Sequence, residues 1–371
     1  MNKTDIFVIA GESSGDAHSA KLIQDILKIN NNLIIHGIGG ARLQEQGVNV
    51  LFDYSEINYI GFANIARNYI YLKSRLDYTA NKIVELSPKV LILCDFPGFN
   101  LRIAKKIREV FGGKIIYYIT PQVWAWHKSR VKQLKKYTDA CFTILPFEKE
   151  ILNKEGIKAY YSGSPVLRNC EEYIEKANKK IRKQKVVSIM PGTRKEEIAR
   201  ILPTLNEIGK LLKLNNEYEI NLICSENIGK NFYTKYINCD YIKLILPTKE
   251  SNLNTIYNSD FVITKFGTSN LECAFLGIPF VAVYKASLLN YLIAKMLVNL
   301  KYLSLVNIVM DKEVVKEYIQ DKFTPNNIIK EIERIFSDVS YKNKMLTEFS
   351  SLKERFDREK TNPAEYICKE L

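Results

Sequence analysis

The sequence predicts an α/β protein built from two Rossmann-like, doubly wound domains facing a cleft. Three observations predict it. Short apolar runs alternate with longer amphipathic ones, the pattern of parallel strands joined by helical crossovers. The alternation breaks once, over the polar, charge-dense stretch 170–184, and then resumes. Glycine-bearing motifs follow directly on several of the apolar runs, where open parallel sheets bind their ligands. A chain of 371 residues is long for one core and comfortable for two.

In the first half, apolar runs at 6–10, 33–37, 90–94, 114–119 and 141–145 read as strands, with helices at 17–28, 100–110 and 128–136. In the second, strands are expected at 186–190, 220–224, 242–246, 261–264 and 280–283, separated by helices at 195–214, 249–258 and 269–276. From 326 onward the chain reads as amphipathic helix. The expected domains are therefore 1–169, 185–338 and a helical tail, 339–371, which either packs back on the first domain or exchanges with a partner chain. No internal repeat of solenoid period is visible.

Composition narrows the classes. The chain is 46% hydrophobic and 26% charged, as in ordinary globular proteins. No apolar run approaches the roughly 20 residues that cross a bilayer. The N-terminal run 6–10 is followed at once by Glu12 and Asp16, so it reads as a buried strand rather than an export signal. Seven cysteines without CxxC spacing, and three histidines, point to a reducing cytosol and argue against a zinc site. The net charge of +13 favours an anionic partner, or reflects a Lys-rich and Asn-rich proteome. No nucleic-acid-binding signature accompanies it, so nucleic acid is not expected as the partner.

Five motifs carry candidate chemistry. Gly11-Glu12-Ser13-Ser14-Gly15-Asp16 joins the first strand to a helix; its carboxylates suit sugar hydroxyls, or one of them caps the helix. In Cys94-Asp95-Phe96-Pro97-Gly98-Phe99-Asn100, Asp95 closes a buried strand, positioned to project into the cleft or to bond its own turn, and Asn100 reads as a helix cap. Pro121 to Trp126 holds both tryptophans, which stack on sugars, line an acyl path or plug the loop. In Pro191-Gly192-Thr193-Arg194, Thr193 reads as an N-cap and Arg194 with the helix start suits a diphosphate, while Glu197 either closes a capping box or meets ligand. Lys265-Phe266-Gly267-Thr268-Ser269 offers N–H groups and hydroxyls to phosphate, and Glu272 suits ribose hydroxyls. Two phosphate-competent turns in the second half, with acidic and aromatic loops in the first, make one coherent site.

These motifs, with ILPFE at 144–148, VNIV at 306–309 and EYIQ at 317–320, resemble the ordered signatures of the lipid-A-disaccharide synthase family from residue 11 to 320. The resemblance implies the GT-B architecture, a nucleotide-sugar site in the domain 185–338, and an acceptor-binding, membrane-facing domain 1–169. It implies inverting transfer from UDP-2,3-diacylglucosamine to 2,3-diacylglucosamine 1-phosphate, with no metal and no other cofactor. Matched residue by residue, Asp95 falls on the family's essential acid and is the candidate base, with Glu12 in reserve. Arg194 falls on its essential arginine, which neutralises the leaving diphosphate. Asn307 and Gln320 fall on its cleft amides, suited to nucleotide or phosphate. Ser13, Asp16, Gly192, Thr193, Gly267, Thr268, Ser269 and Glu272 complete the expected binding set.

The chain departs from the family where Gly163-Ser164-Pro165 replaces Gly-His-Pro and where Lys265 and Phe266 precede Gly267; Lys265 is either a phosphate contact or a strand-end charge. His127 reads as a surface or turn residue. The segment 58–75 interleaves Tyr59, Ile60, Phe62, Ile65 and Tyr69 with Arg67, Lys73 and Arg75, a basic amphipathic stretch suited to an anionic inner-membrane surface or to an ordinary core helix. The resemblance favours the membrane, because both sugars carry acyl chains. It implies a cytoplasmic protein, peripheral on the inner-membrane face, monomer or homodimer. The competing readings are another GT-B UDP-sugar transferase or epimerase, and a basic, non-catalytic binding protein.

Overall fold

A computed structural model of the chain describes residues 4–58, 68–124, 128–178, 183–214, 217–248, 251–287, 291 and 300–371. Contacts divide it into two units: Met1–Gly163 with Arg358–Leu371, and Ser164–Asp357.

In the first unit the described residues form a seven-stranded parallel sheet: β1 (Ile6–Ala10), β2 (Ile35–Gly39), β3 (Asn49–Asp53), β4 (Val90–Cys94), β5 (Lys114–Tyr118), β6 (Ala140–Thr143) and β7 (Ala159–Tyr161). The order is β3-β2-β1-β4-β5-β6-β7. β1 and β4 are buried along their whole length because helices cover both faces of a parallel sheet, so neither strand alternates polar and apolar residues. The helices are α1 (Ser13–Ile29), α2 (Ala41–Glu45), α3 (Tyr69–Leu86), α4 (Pro97–Ile107), α5 (Lys128–Tyr137) and α6 (Pro146–Lys154). α1 buries Ser19, Leu22, Ile23 and Ile26, one face at helical spacing. β1 pairs with both β2 and β4, so the strand order reverses between β1 and β4.

The second unit opens with α7 (Pro165–Ile174), started by Pro165 and by Ser164, whose Oγ accepts from Leu167 N at 3.4 Å. Ser164 thus caps a helix. α7 buries Pro165, Leu167 and Cys170 and packs on a helix of the second sheet, which sets the break at 163/164 rather than within 170–184. The parallel sheet is β8 (Lys185–Met190), β9 (Tyr218–Ile223), β10 (Lys243–Ile245), β11 (Phe261–Lys265), β12 (Phe280–Tyr284) and β13 (Glu317–Ile319), in the order β10-β9-β8-β11-β12-β13. Its order reverses between β8 and β11. The helices are α8 (Lys195–Lys213), α9 (Lys230–Tyr233), α10 (Ser251–Tyr257), α11 (Ser269–Phe275), α12 (Leu305–Met310), α13 (Pro325–Ser337) and α14 (Val339–Phe356).

The helical tail is shared out. α14 packs on α11, α12 and α13, with Phe349 stacked on Phe280 at 5.8 Å. The last helix, α15 (Pro363–Lys369), packs on α1 and buries Ala364 and Ile367 in the first unit's core, where Tyr366 meets Tyr160 at 5.1 Å. Among the described residues no helix is long and apolar enough to cross a membrane.

Candidate functional site

In a doubly wound sheet the loops leaving the carboxyl ends of the two strands at the order reversal diverge and leave a crevice. In the first unit those loops are Gly11–Asp16 and Asp95–Asn100. Asp95 and Phe96 both adopt the left-handed region, φ 43° and 44°, which costs non-glycine residues about 1–3 kcal/mol each. The turn is held by Asn100, whose Nδ2 donates to the carbonyls of Cys94 (3.1 Å) and Asp95 (2.8 Å), and by the Tyr117 hydroxyl, which donates to the Asp95 carbonyl at 2.6 Å. Asn100 is therefore a clamp on the strand end within the first turn of α4, not its cap. The Phe96 ring lies against Gly11, where a Cβ would meet it at 2.1 Å, so only glycine allows the two loops to close on each other.

The geometry gathers acids. Burial, and then the charge of Glu12, push the Asp95 carboxyl up to about 6, while Arg130 on α5 draws it down. Glu12 precedes α1 without capping it; its carboxylate accepts from the Ser14 hydroxyl at 2.5 Å. Ser13 stands exposed in the first turn. A third acid is Glu148, on α6 after β6, which sequence reasoning passed over. It is buried, accepts from the Trp124 indole N–H at 2.8 Å, and reaches back to Leu145 N at 3.2 Å. Burial pushes its carboxyl up to about 7, and the charge of Asp95 adds to the rise. Trp124 also packs edge-on against Phe147 at 5.2 Å. Trp126 and His127 lie outside the described residues.

Asp16 does not join this group. It is buried, its Oδ1 accepting from Gly40 N at 2.7 Å and its Oδ2 from Arg42 N at 3.2 Å. The carboxylate closes the turn after β2 and caps α2, so it is spent on the fold rather than on a ligand.

In the second unit the reversal loops follow β8 and β11. Gly192, Thr193, Gly267, Thr268, Ser269 and Glu272 line one cavity of about 240 Å³ there. Gly192 has φ 98°, and a Cβ on it would meet Lys265 Cδ at 2.8 Å, so the turn needs glycine twice over. Burial pushes the Glu272 carboxyl up to about 7. Ser269 Oγ is engaged with Thr264 Oγ1 at 2.7 Å, and Asn270 Nδ2 donates to the Lys265 carbonyl at 3.0 Å.

Several expectations change here. The cap position of α8 is Arg194, not Thr193, and Glu197 closes no capping box. Glu197 instead pairs with Lys265 and lies 3.7 Å from Arg194. Lys265 is thus a partner in a half-buried ion pair rather than a free phosphate ligand, while the Arg194 side chain is 74% exposed. Asn307 is fully buried with all its hydrogen bonds used. Its Nδ2 donates to Val315 O and Glu317 Oε1, both at 2.9 Å, and its Oδ1 accepts from Val314 N and Val315 N. It leaves no group for a nucleotide and serves to hold the entry to β13. Gln320, with φ 52°, clasps the backbone of Ala286, accepting from its N–H at 2.8 Å and donating to its carbonyl at 3.3 Å. One side of that amide ties the ends of β12 and β13, and Gln320 also lines a cavity of about 410 Å³. Of the expected membrane contacts, Tyr59, Ile60, Phe62 and Ile65 lie outside the described residues, and Tyr69 opens α3 at 56% exposure.

Two doubly wound sheets, one ending in a cluster of acids and the other in a glycine-turn cavity beside an arginine, are the fold of the GT-B class. Solved structures share the fold: the glycotransferase of kitacinnamycin (TM-score 0.65, 13% identity, covering 100% of each chain) and the UDP-GlcNAc 2-epimerase of Neisseria meningitidis bound to UDP-GlcNAc (TM-score 0.64, 14% identity, covering 95% of this chain and 99% of that one). The family model described as lipid-A-disaccharide synthetase matches residues 6–371, and the chain belongs to that family. The lipid-A-disaccharide synthase of Myxococcus xanthus (strain DK1622) is 31% identical to it over 360 residues, 95% of this chain and 94% of its own. The protein is a glycosyltransferase of lipid A biosynthesis that forms the disaccharide.

Proposed function

We propose that the enzyme transfers 2,3-diacylglucosamine from UDP-2,3-diacylglucosamine to the 6-hydroxyl of 2,3-diacylglucosamine 1-phosphate, with inversion and without a metal ion. The observation that carries this reading is Asp95, fixed in a strained turn at the first sheet's order reversal and held by burial at about 6. Such a carboxylate is ionised at neutral pH yet basic enough to take a proton. As the acceptor oxygen attacks the anomeric carbon, its proton passes to Asp95, the bond from that carbon to the diphosphate oxygen breaks, and UDP departs. Arg194, 74% exposed at the start of α8 beside Glu197, neutralises the charge that develops on the diphosphate. Gly192, Thr193, Gly267, Thr268 and Ser269 contribute the cavity walls around the donor, and Glu272 meets the ribose hydroxyls. Glu12 shares the work of Asp95 through its charge and stands as the reserve base.

Acylated substrates are collected at the cytoplasmic face of the inner membrane. The start of α3 supports this, with Tyr69, Ile70 and Tyr71 exposed beside Lys73. The experiment is direct. Purified enzyme with both acylated substrates and a metal chelator should release UDP and disaccharide in equal amounts. Epimerised UDP-sugar, or UDP without disaccharide, overturns the reading.

A further inference from the structure

The reading above leaves unused a groove in the first unit between α3 and α4, of about 520 Å³. Its apolar walls come from Ile57, Leu72, Leu76, Phe96 and Phe99. Leu72, Leu76 and Phe96 are only partly buried against the core beneath, and the Phe96 and Phe99 rings stand 6.3 Å apart. The volume falls within the range of about 300–1,000 Å³ typical of small-molecule sites. The rim is cationic: Lys73, Arg102 and Lys106 line it against one carboxylate, Asp77, which lies 2.8 Å from Lys106. Lys73 and Arg102 are exposed. An apolar trough with surplus positive charge at its edge fits a ligand that joins a hydrocarbon chain to a phosphate.

Its location narrows the ligand further. Phe96, a wall of the groove, directly follows Asp95, and the strained turn fixes the two side chains relative to each other. A sugar whose hydroxyl meets Asp95 therefore has a wall of this groove as the next residue in the chain.

We infer that the groove between α3 and α4 is the acceptor's lipid subsite, taking one acyl chain along Leu72, Leu76, Phe96 and Phe99 and placing the acceptor's phosphate among Lys73, Arg102 and Lys106. The inference rests on the transfer reaction proposed above for the identity of the acceptor. It makes the groove a chain-length and phosphate sensor that adjoins the bilayer contact at the start of α3 and shares Tyr69 and Lys73 with it.

Acceptor binding without donor tests it, so that it can fail independently of the reaction. Affinities are measured for diacylglucosamine 1-phosphate with long acyl chains, for its butanoyl analogue, and for the long-chain compound lacking phosphate. Leu72→Trp narrows the trough while keeping it apolar, and should cut the long-over-short affinity ratio by about tenfold or more, as expected when a few methylenes lose burial. Arg102→Gln, at an exposed position that does not threaten folding, should cut the preference for the phosphorylated acceptor severalfold and leave the chain-length ratio alone. Co-sedimentation with anionic phospholipid vesicles should change little in either variant. Unchanged ratios in both variants overturn the subsite. So does a loss of vesicle binding in Leu72→Trp with the chain-length ratio intact, which would make the groove a bilayer contact. Retained acceptor selectivity in an enzyme that transfers no sugar would instead sink the proposed reaction and leave the subsite standing.

Discussion

At the order reversal of each sheet a buried asparagine grips the last carbonyls of a strand: Asn100 behind β4 and Asn270 behind β11. Among the described residues, each leaves its own Oδ1 buried and without a partner. The scaffolds match, and the chemistry laid on them does not. The first unit crowds Glu12 and Asp95 where their charges meet, with Glu148 close enough to feel Asp95. The second sets Arg194 and Lys265 around the Glu197 carboxylate, beside hydroxyls, a glycine turn and Glu272, whose carboxyl burial raises to about 7. Strand order fixes where a ligand can bind, and the residues one or two places past the strand end decide whether that place takes protons or holds phosphate.

That contrast can be broken from either side. The largest effect is expected at Asp95: Asp95→Asn keeps the turn but removes the proton acceptor, and kcat should fall by about 10²–10⁴ with KM little changed. A fall confined to KM would mean that Asp95 only binds. Next comes Arg194→Gln, for which steady-state kinetics should show kcat/KM lower by about 10²–10³, as for loss of one group stabilising developing charge. A loss of tenfold or less would assign the diphosphate to other cations. A smaller, structural effect sharpens the acidic side. Glu148→Leu strips the acceptor from the Trp124 indole and from Leu145 N, and urea unfolding should show about 1–3 kcal/mol lost. Glu148→Gln keeps an acceptor for the indole and should recover most of it; equal losses in both variants would place the effect in the charge instead.

Much of this was readable in advance, for physical reasons. Strands such as β1, β4 and β11 are short apolar runs buried on both faces, and the motif after each marks the crevice in the sequence itself. The strands that escaped reading, β3, β7 and β13, lie at sheet edges, and β7 and β13 are three residues long with no period to detect. Glu148 was passed over because its local bond to Leu145 is all that short-range spacing can reveal; its partner Trp124 lies 24 residues away. Arg130 was hidden in a run of basic residues on α5 that looks like an ordinary solvated face. Asn307 and Gln320 misled in the opposite direction. Their matched positions suggested ligand contacts, whereas the Asn307 amide is consumed in holding the entry to β13 and the Gln320 amide is engaged in part with the backbone of Ala286.

The proposed reaction turns on the Asp95 carboxyl, whose pKa burial raises to about 6, and the pH dependence of kcat/KM for the acceptor tests that most directly. Only ionised Asp95 can accept the proton, so activity should rise with pH through a limb near 6. Removing the neighbouring charge in Glu12→Gln should move that limb to lower pH, and Arg130→Gln should move it higher, because the two charges act on Asp95 with opposite sign. A limb that stays put in both variants, or that lies near the ordinary aspartate value, would contradict the account.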